Sequence, residues 1–187
     1  VSIKNCKFYN NIAKISGGVF HFEAVVVATI LQSKFRLNAA DLSGGVLYSK
    51  NLLSLIFIYN CTVINSQAGL SGGIMHLEIS SFTSLSKCVF YQNKADTGAV
   101  LTGQDINYLT LSDSYLVNNV ATKKSGCLDI LRISKIQLQN IDIISNKAKF
   151  GGCCSFSHVD NLLVNNCSFL KNSAFKKGGV FYLNALT

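Results

Sequence analysis

Apolar and polar residues alternate over short stretches of this chain, as in the Phe-His-Phe-Glu run of residues 20–23. A period of two is typical of a β-strand with one buried and one exposed face, whereas an amphipathic helix has a period near 3.6. A second set of short apolar runs, such as Ile56-Phe57-Ile58, follows the same rule. The pattern therefore predicts an all-β protein.

A pair of glycines, or a glycine and a small residue, precedes each strand of the first set. The pairs are separated by 27, 28, 26, 28, 25 and 27 residues, which indicates an internal repeat of about 27 residues. They are Gly17-Gly18, Gly44-Gly45, Gly72-Gly73, Gly98-Ala99, Gly126-Cys127, Gly151-Gly152 and Gly178-Gly179.

A second mark lies before each glycine pair: an aromatic or aliphatic residue, two further residues, an asparagine, and then an alanine. We interpret the asparagine as a left-handed turn residue whose amide pairs with the copies above and below it. The copies are Phe8…Asn11, Phe35…Asn38, Val63…Ser66, Phe90…Asn93, Tyr115…Asn118, Ile143…Asn146 and Phe169…Asn172. Two residues earlier comes a mostly small or apolar position: Cys6, Ser33, Cys61, Cys88, Asp113, Ile141 and Cys167.

The two-residue gap between Ile58 and Cys61 reverses the inside–outside order, so the chain bends there. We expect three short strands in each repeat, joined by bends into one triangular coil. A single coil cannot bury its apolar face, but stacking at about 4.8 Å does so and makes a rod of about 30 Å. The predicted fold is a right-handed parallel β-helix of about seven coils, in which only Asp129, placed inward, breaks the pattern.

The composition fits such a solenoid. The chain is 49% hydrophobic, 14% charged and contains no proline, which suits a sheet whose central strands must all donate their N–H groups. Its longest apolar run, residues 24–31, is far too short to span a membrane. We expect residues 1–187 to form a single β-helix segment that belongs to a longer chain.

The two marks resemble the G-G-A-I and F-x-x-N repeats of chlamydial polymorphic outer membrane proteins. The first mark reads Gly-Gly-Val-Phe at 17–20 and 178–181, and the second reads Phe-Tyr-Asn-Asn at 8–11. More broadly, the sequence is similar to the pectin-lyase-like β-helix superfamily and to repeats in large surface proteins of protists. The resemblance implies secretion, display at the cell surface and adhesion.

Enzymes with this fold need clustered acidic residues, and the chain has nine acidic residues in all. Glu23 and Glu78 share an outward column, but Lys50 lies between them, so an alternating charge ladder is expected. The segment Arg132–Lys135 is similar to a polygalacturonase motif that lacks its Asp and His partners here. We therefore predict no catalytic site and no cofactor.

The histidines and cysteines predict no metal site. His21 and His76 occupy one column two coils apart, too far to share an ion, and no Cys-x-x-Cys pair occurs. We expect mostly free, buried thiols. A disulfide could link Cys61 to Cys88 on adjacent coils, or Cys127 to Cys153 or Cys154.

Two N-glycosylation sequons, Asn60-Cys61-Thr62 and Asn166-Cys167-Ser168, occupy the same outward bend position. They predict glycans at Asn60 and Asn166 along one edge of a secreted rod. The alternative is that the repeat consensus creates sequons by accident.

The formal net charge is +8, and eight lysines lie between the asparagine and the glycine pair. Stacking predicts a basic stripe that could bind acidic glycans. The stripe could instead serve solubility and discourage lateral pairing of sheets. Nucleic acid is not an expected partner, because no aromatic residues interleave with the stripe. The lysines are Lys14, Lys94, Lys123, Lys124, Lys147, Lys149, Lys176 and Lys177.

These features predict a non-catalytic, extracellular or cell-surface rod with a structural or adhesive role. Its expected partners are neighbouring coils of the same longer chain or the subunits of a filament. One alternative is a glycan-binding module that uses the basic stripe with Tyr48 and Tyr182. The other is a carbohydrate-active β-helix enzyme, a lyase or a hydrolase.

Overall fold

The computed structural model describes residues 1–50 and 54–186 of the chain. Within these residues all regular secondary structure is β-strand, arranged in three parallel sheets. Each coil pairs with the next through residues 26 to 28 positions apart, as in Phe35 with Val63, Val63 with Phe90, and Phe90 with Leu116. The predicted parallel β-solenoid of about seven coils is confirmed. We number the coils by the second-sheet strand that each contributes.

The first sheet contains both sets of apolar runs that the sequence pattern treats as separate strands. From coil four onward the two runs join into single strands of 12 residues, which are kinked at Ile79, Asp105, Arg132 and His158 (φ 54–60°). The strands are Ser2–Lys4, Phe20–Glu23, Val27–Leu31, Leu47–Lys50, Leu55–Tyr59, Met75–Ser86, Leu101–Ser112, Leu128–Gln139, Cys154–Asn165 and Phe181–Leu186.

The second sheet carries the aromatic and aliphatic column. Phe8 and Phe35 stack face to face with ring centroids 5.0 Å apart, and Phe90 at the centre is fully buried. The strands are Lys7–Tyr9, Lys34–Arg36, Thr62–Ile64, Val89–Tyr91, Tyr115–Val117, Asp142–Ile144 and Ser168–Leu170.

The third sheet lies where the sequence pattern predicts only a turn. Its strands are short, and the alanine after each asparagine points inward. Each coil has three faces, but they are not formed by the three predicted strands: the first two share one sheet, and this further segment forms the third. The strands are Ile12–Ala13, Ala39–Ala40, Gln67–Ala68, Lys94–Thr97, Val120–Lys124, Lys147–Phe150 and Ser173–Lys177.

The asparagine column forms an inward ladder. Asn93 Nδ2 donates to Asn119 Oδ1 at 3.0 Å, and Asn119 Nδ2 donates to Asn146 Oδ1 at 3.0 Å. The left-handed conformation belongs to the preceding residue, as in Gln92 (φ 56°), so the predicted pairing is confirmed and the predicted turn role is wrong. Among the described residues, the ladder is interrupted at Ser66, whose buried hydroxyl has no hydrogen-bond partner.

The fifth copy of each mark is shifted by one residue from its predicted position. Leu128 pairs with Leu101, which makes Ser125-Gly126 the fifth glycine pair, and Ser125 (φ 57°) takes the left-handed place of a glycine. Asp129 therefore points outward, between Thr102 and Ser155, and no longer breaks the pattern.

The same shift changes the fifth copy of the second mark. Leu116, and not Tyr115, pairs with Phe90. Asn119 replaces Asn118 in the ladder, and the buried Ser114 replaces Asp113 in the cysteine column: its Oγ accepts the Cys88 N–H at 3.0 Å.

Candidate functional site

Seven of the eight predicted lysines lie on the third sheet in coils four to seven, where every one is exposed. Lys14 lies apart on coil one, because coils two and three carry no lysine in this sheet. The four strands that carry these seven lysines contain one acidic residue, Asp96, so their net charge is +6. We call this surface the basic face: Lys94, Lys123, Lys124, Lys147, Lys149, Lys176 and Lys177.

Asp96 neutralises only one lysine of the basic face. Its carboxylate lies 2.7 Å from Lys123 Nζ and accepts a hydrogen bond from Thr122, and these contacts lower the pKa of Asp96. Within the described part of the chain, no other lysine of the basic face lies at ion-pair distance from a carboxylate. Six lysines of the basic face therefore have no salt bridge, although Lys124 also interacts electrostatically with Asp129.

Aromatic side chains do interleave with the basic face. Phe175 is 87% exposed and helps to line a shallow cavity of about 400 Å³ with Lys147 and Lys149. Lys176 Nζ lies 5.8 Å from the centroid of the Phe150 ring, which in turn contacts Tyr182. Nucleic acid is not an expected partner from the sequence alone, because no aromatic residues interleave with the lysines in it. The structure removes that argument.

The first three coils of the third sheet are apolar instead of basic. Ile12, Ile15, Leu42 and Leu70 are each 43–74% exposed, and Lys14 lies among them. An exposed apolar group of this kind is unusual on a soluble surface. The third sheet thus has two zones of different chemistry along the solenoid.

A polar groove follows the kink of the first sheet in coils five to seven. Its floor is formed by the buried Ile106 and Ile133, whose column continues to Val159, and its volume is about 310 Å³. Because the residues on either side of each floor residue point outward, the walls carry polar side chains: Asp105, Arg132 and His158 on one side, and Asn107, Ser134 and Asp160 on the other.

Arg132 is held in this groove by Asp105 of the preceding coil. The guanidinium donates two hydrogen bonds to the carboxylate, one of them 2.9 Å long, and this pairing lowers the pKa of Asp105. The sequence motif around Arg132 predicts no acidic or histidine partner for it. The structure places Asp105, His158 and Asp160 around it, because cross-coil register joins residues about 27 positions apart.

The outward column with His21, Tyr48 and His76 forms a ring stack, with centroids 4.7 and 5.5 Å apart. Burial lowers the pKa of His76. Burial, and to a smaller extent the hydrogen bond to Glu78, raises the pKa of Tyr48 to about 12.

The strand register aligns the predicted charge ladder of Glu23, Lys50 and Glu78, and Lys50 Nζ lies 3.3 Å from the Glu78 carboxylate.

A hydrogen-bonded chain joins Ser71 Oγ to His76 Nδ1 at 2.9 Å and continues from His76 Nε2 to Glu78 at 3.5 Å. Nucleophilic catalysis by such a chain needs N–H donors aimed at a developing oxyanion. The neighbouring Ser71 and Gly72 N–H groups donate to carbonyls of adjacent coils instead. The hydrogen-bonded chain therefore links Ser71, His76 and Glu78 within one coil, and neither of these two N–H groups is free to bind an oxyanion.

All seven cysteines are free thiols in this structure, so the disulfide proposed between Cys61 and Cys88 is not formed here. The two side chains are buried on adjacent coils, and burial raises the pKa of Cys88 to about 12. Cys127, Cys153 and Cys154 are likewise buried. Because the thiolate is the reactive form, burial makes these five cysteines unreactive fillers of the core, whereas Cys6 and Cys167 are partly exposed.

Asn60 and Asn166 occupy the same bend between the first and second sheets, in coils three and seven. Both are exposed and left-handed, with φ values of 52° and 48°. Asn166 Nδ2 donates to Asn140 Oδ1 at 2.9 Å. The two sequons thus lie on one edge of the solenoid, four coil steps apart.

None of the described residues belongs to a helix that is long and apolar enough to cross a membrane. In the same part of the chain, no three His, Cys, Asp or Glu side chains are grouped so that they could hold a metal ion.

Compared with known protein families, curated proteins and solved structures, the chain shows no significant match.

Proposed function

We propose that this chain is a non-catalytic structural or adhesive rod, part of a larger extracellular surface protein or filament. The observation that carries the proposal is the uninterrupted stacking of the coils. Each of the three sheets continues from coil to coil through parallel pairing, around one apolar core.

This stacking supports a mechanical role. Backbone groups in the bends also pair across coils, as in Gly44 N–H to Ser71 O at 2.9 Å and Gly151 N–H to Lys177 O at 2.9 Å. Opening any one coil therefore breaks bonds to two neighbours as well as exposing its apolar interior. Segments with this density of hydrogen bonds and buried contacts have high local stability.

The sequence marks support an extracellular location. The resemblance to chlamydial outer membrane protein repeats implies surface display and adhesion, and the sequons at Asn60 and Asn166 suit a protein that passes through a secretory pathway. Buried, unreactive thiols are compatible with an oxidising environment, because a core that stays closed protects them.

We expect the folded chain to resist trypsin under native conditions, although it has 17 lysines and arginines. Proteolysis requires local opening, and exposed sites such as Lys147 and Lys149 lie within strands that are paired on both sides. The measurement is the half-life of the intact chain by gel electrophoresis, with the urea-unfolded chain as control. Native cleavage as rapid as that of the unfolded chain would show that the stack does not act as a rigid rod.

The polar groove favours a second candidate, a carbohydrate-active enzyme. Its carboxylates are poorly arranged for that chemistry. Asp105 and Asp160 lie two coils apart, about 9.6 Å along the axis, and on opposite walls of the groove, which adds to that distance. Glycosidases hold their two carboxylates about 5–5.5 Å apart when retaining and about 6.5–9.5 Å apart when inverting. Asp105 is also tied to Arg132, which keeps it ionised and unsuited to act as a general acid. These features support the rod over the enzyme.

A further inference from the structure

We propose that the basic face binds a linear acidic polysaccharide with a charged disaccharide repeat, lying parallel to the solenoid axis. The inference rests on the proposed function, because it names the partner of an adhesive rod. It is carried by the strand register of the third sheet, which positions the lysines at a regular spacing.

Four of the seven lysines of the basic face recur on every second coil, in two columns, whereas Lys123, Lys149 and Lys176 lie outside these columns. Lys94, Val120 and Lys147 occupy one column, so two lysines flank an uncharged residue. Lys124, Phe150 and Lys177 occupy another column in the same order, shifted by one coil. Two coil steps correspond to about 9.6 Å along the axis.

This spacing fits the repeat of an acidic polysaccharide. Each pyranose of an extended chain advances by roughly one coil step of about 4.8 Å. A polymer that alternates a uronic acid with an uncharged or sulfated hexosamine therefore presents a carboxylate about every two coil steps. Such a chain along the axis would meet one lysine of each column with each repeat.

Phe175 supplies an apolar contact beside these charges. Its ring is almost fully exposed and shares a shallow cavity with Ala148 and the stem of Lys149. The axial C–H groups of a pyranose give it an apolar face that packs well on an aromatic ring, while its acidic groups lie at the ring edge. The combination of a flat apolar patch and flanking lysines suits a sugar acid.

The same observations disfavour other anionic partners. Single-stranded nucleic acid binds through aromatic side chains that stack successive bases. Phe150 is partly buried and already contacts Lys176 and Tyr182, so on the basic face Phe175 is the ring that is free to stack a base. Insertion into a membrane surface needs a broad apolar face. Within the basic face the exposed apolar side chain is Phe175, and the apolar zone of the third sheet lies in coils one to three, outside the basic face.

The first test measures binding of an unsulfated chondroitin octasaccharide, which carries one carboxylate in each disaccharide, to the full chain at physiological salt. We expect Lys147→Glu with Lys149→Glu to weaken binding by at least about tenfold, since it reverses the charge of two of the six lysines that have no salt bridge. Lys7→Glu with Lys34→Glu is the matched control, because it makes the same charge change on the second sheet. Equal losses in both double variants would overturn the site.

The second test separates spacing from charge. Exchanging Val120→Lys with Lys147→Val keeps the net charge but moves one lysine by a single coil. We expect at least about threefold weaker binding of the octasaccharide, because the lysine no longer meets the repeat. Unchanged affinity would overturn the proposed register.

The competing partners are tested with the same protein. We expect a single-stranded oligonucleotide of equal charge and phosphatidylserine vesicles to bind more weakly than the octasaccharide at physiological salt. Tighter binding of either would overturn the polysaccharide assignment. Resistance to trypsin, measured on the same preparation, distinguishes this failure from failure of the rod itself.

Discussion

Replacing Asn119 by alanine should lower the free energy of unfolding by about 3–5 kcal/mol, since each buried polar group left without a partner costs about 1–3 kcal/mol. Asn119 Oδ1 accepts the backbone N–H and the Nδ2 group of Asn93, and Asn119 Nδ2 donates to Phe90 O and to Asn146 Oδ1. Alanine removes all four bonds inside the core. The measurement is guanidinium unfolding followed by circular dichroism.

Two further variants test whether the loss of stability comes from the asparagine ladder. Asn118→Gly changes the neighbouring residue, which is left-handed (φ 57°) and outside the ladder, so it should alter stability by less than about 1 kcal/mol. Ser66→Asn restores the missing member of the ladder and should raise stability by about 1 kcal/mol. A larger loss from Asn118→Gly than from Asn119→Ala would mean that the ladder register is wrong.

Phe90→Ala should cost about 3–5 kcal/mol, the usual penalty for emptying a buried aromatic site. Phe90 is fully buried at the centre of the second sheet, between Val63 and Leu116. In a solenoid each coil contacts only its neighbours, so the cavity should also uncouple the two halves and broaden the unfolding transition. Hydrogen exchange resolved by peptide would show faster opening in coils three to five.

Tyr91→Ala is the matched control for Phe90, because it truncates the next side chain on the outward face of the same strand. We expect it to cost less than about 1 kcal/mol. Similar losses from the two substitutions would contradict the assignment of inner and outer faces.

The repeat and its period were predictable because stacked coils impose one spacing on all columns. Strand pairing then places Phe8 over Phe35, and His21 beside Tyr48, as the sequence pattern predicts. The third sheet was missed because strands such as Ala39–Ala40 span only two residues, too short to show an alternation.

The shift in coil five could not be predicted, because a serine there adopts a conformation that normally favours glycine. Ser125 has the same left-handed φ as Gly98, and only the pairing of Leu128 with Leu101 reveals it. Register also governs the surfaces. Two residues 53 positions apart, Lys94 and Lys147, share a column only because Val120 lies between them on the intervening coil.

The polar groove shows the same limit of sequence reasoning. The salt bridge between Asp105 and Arg132 joins adjacent coils, and the kink that opens the groove depends on left-handed backbone at residues that are not glycine. No local sequence motif predicts the salt bridge or the kink. Chemistry on the outer surface of a solenoid is set by how side chains from successive coils align.

The extracellular location is the central claim, and it is tested most directly on intact cells of the source organism. Surface proteins would be labelled with a membrane-impermeant amine reagent and identified by mass spectrometry. If the rod is extracellular, we expect label on lysines of the basic face and glycan mass at Asn60 and Asn166. Label that appears only after cell lysis, with both asparagines unmodified, would contradict an extracellular rod.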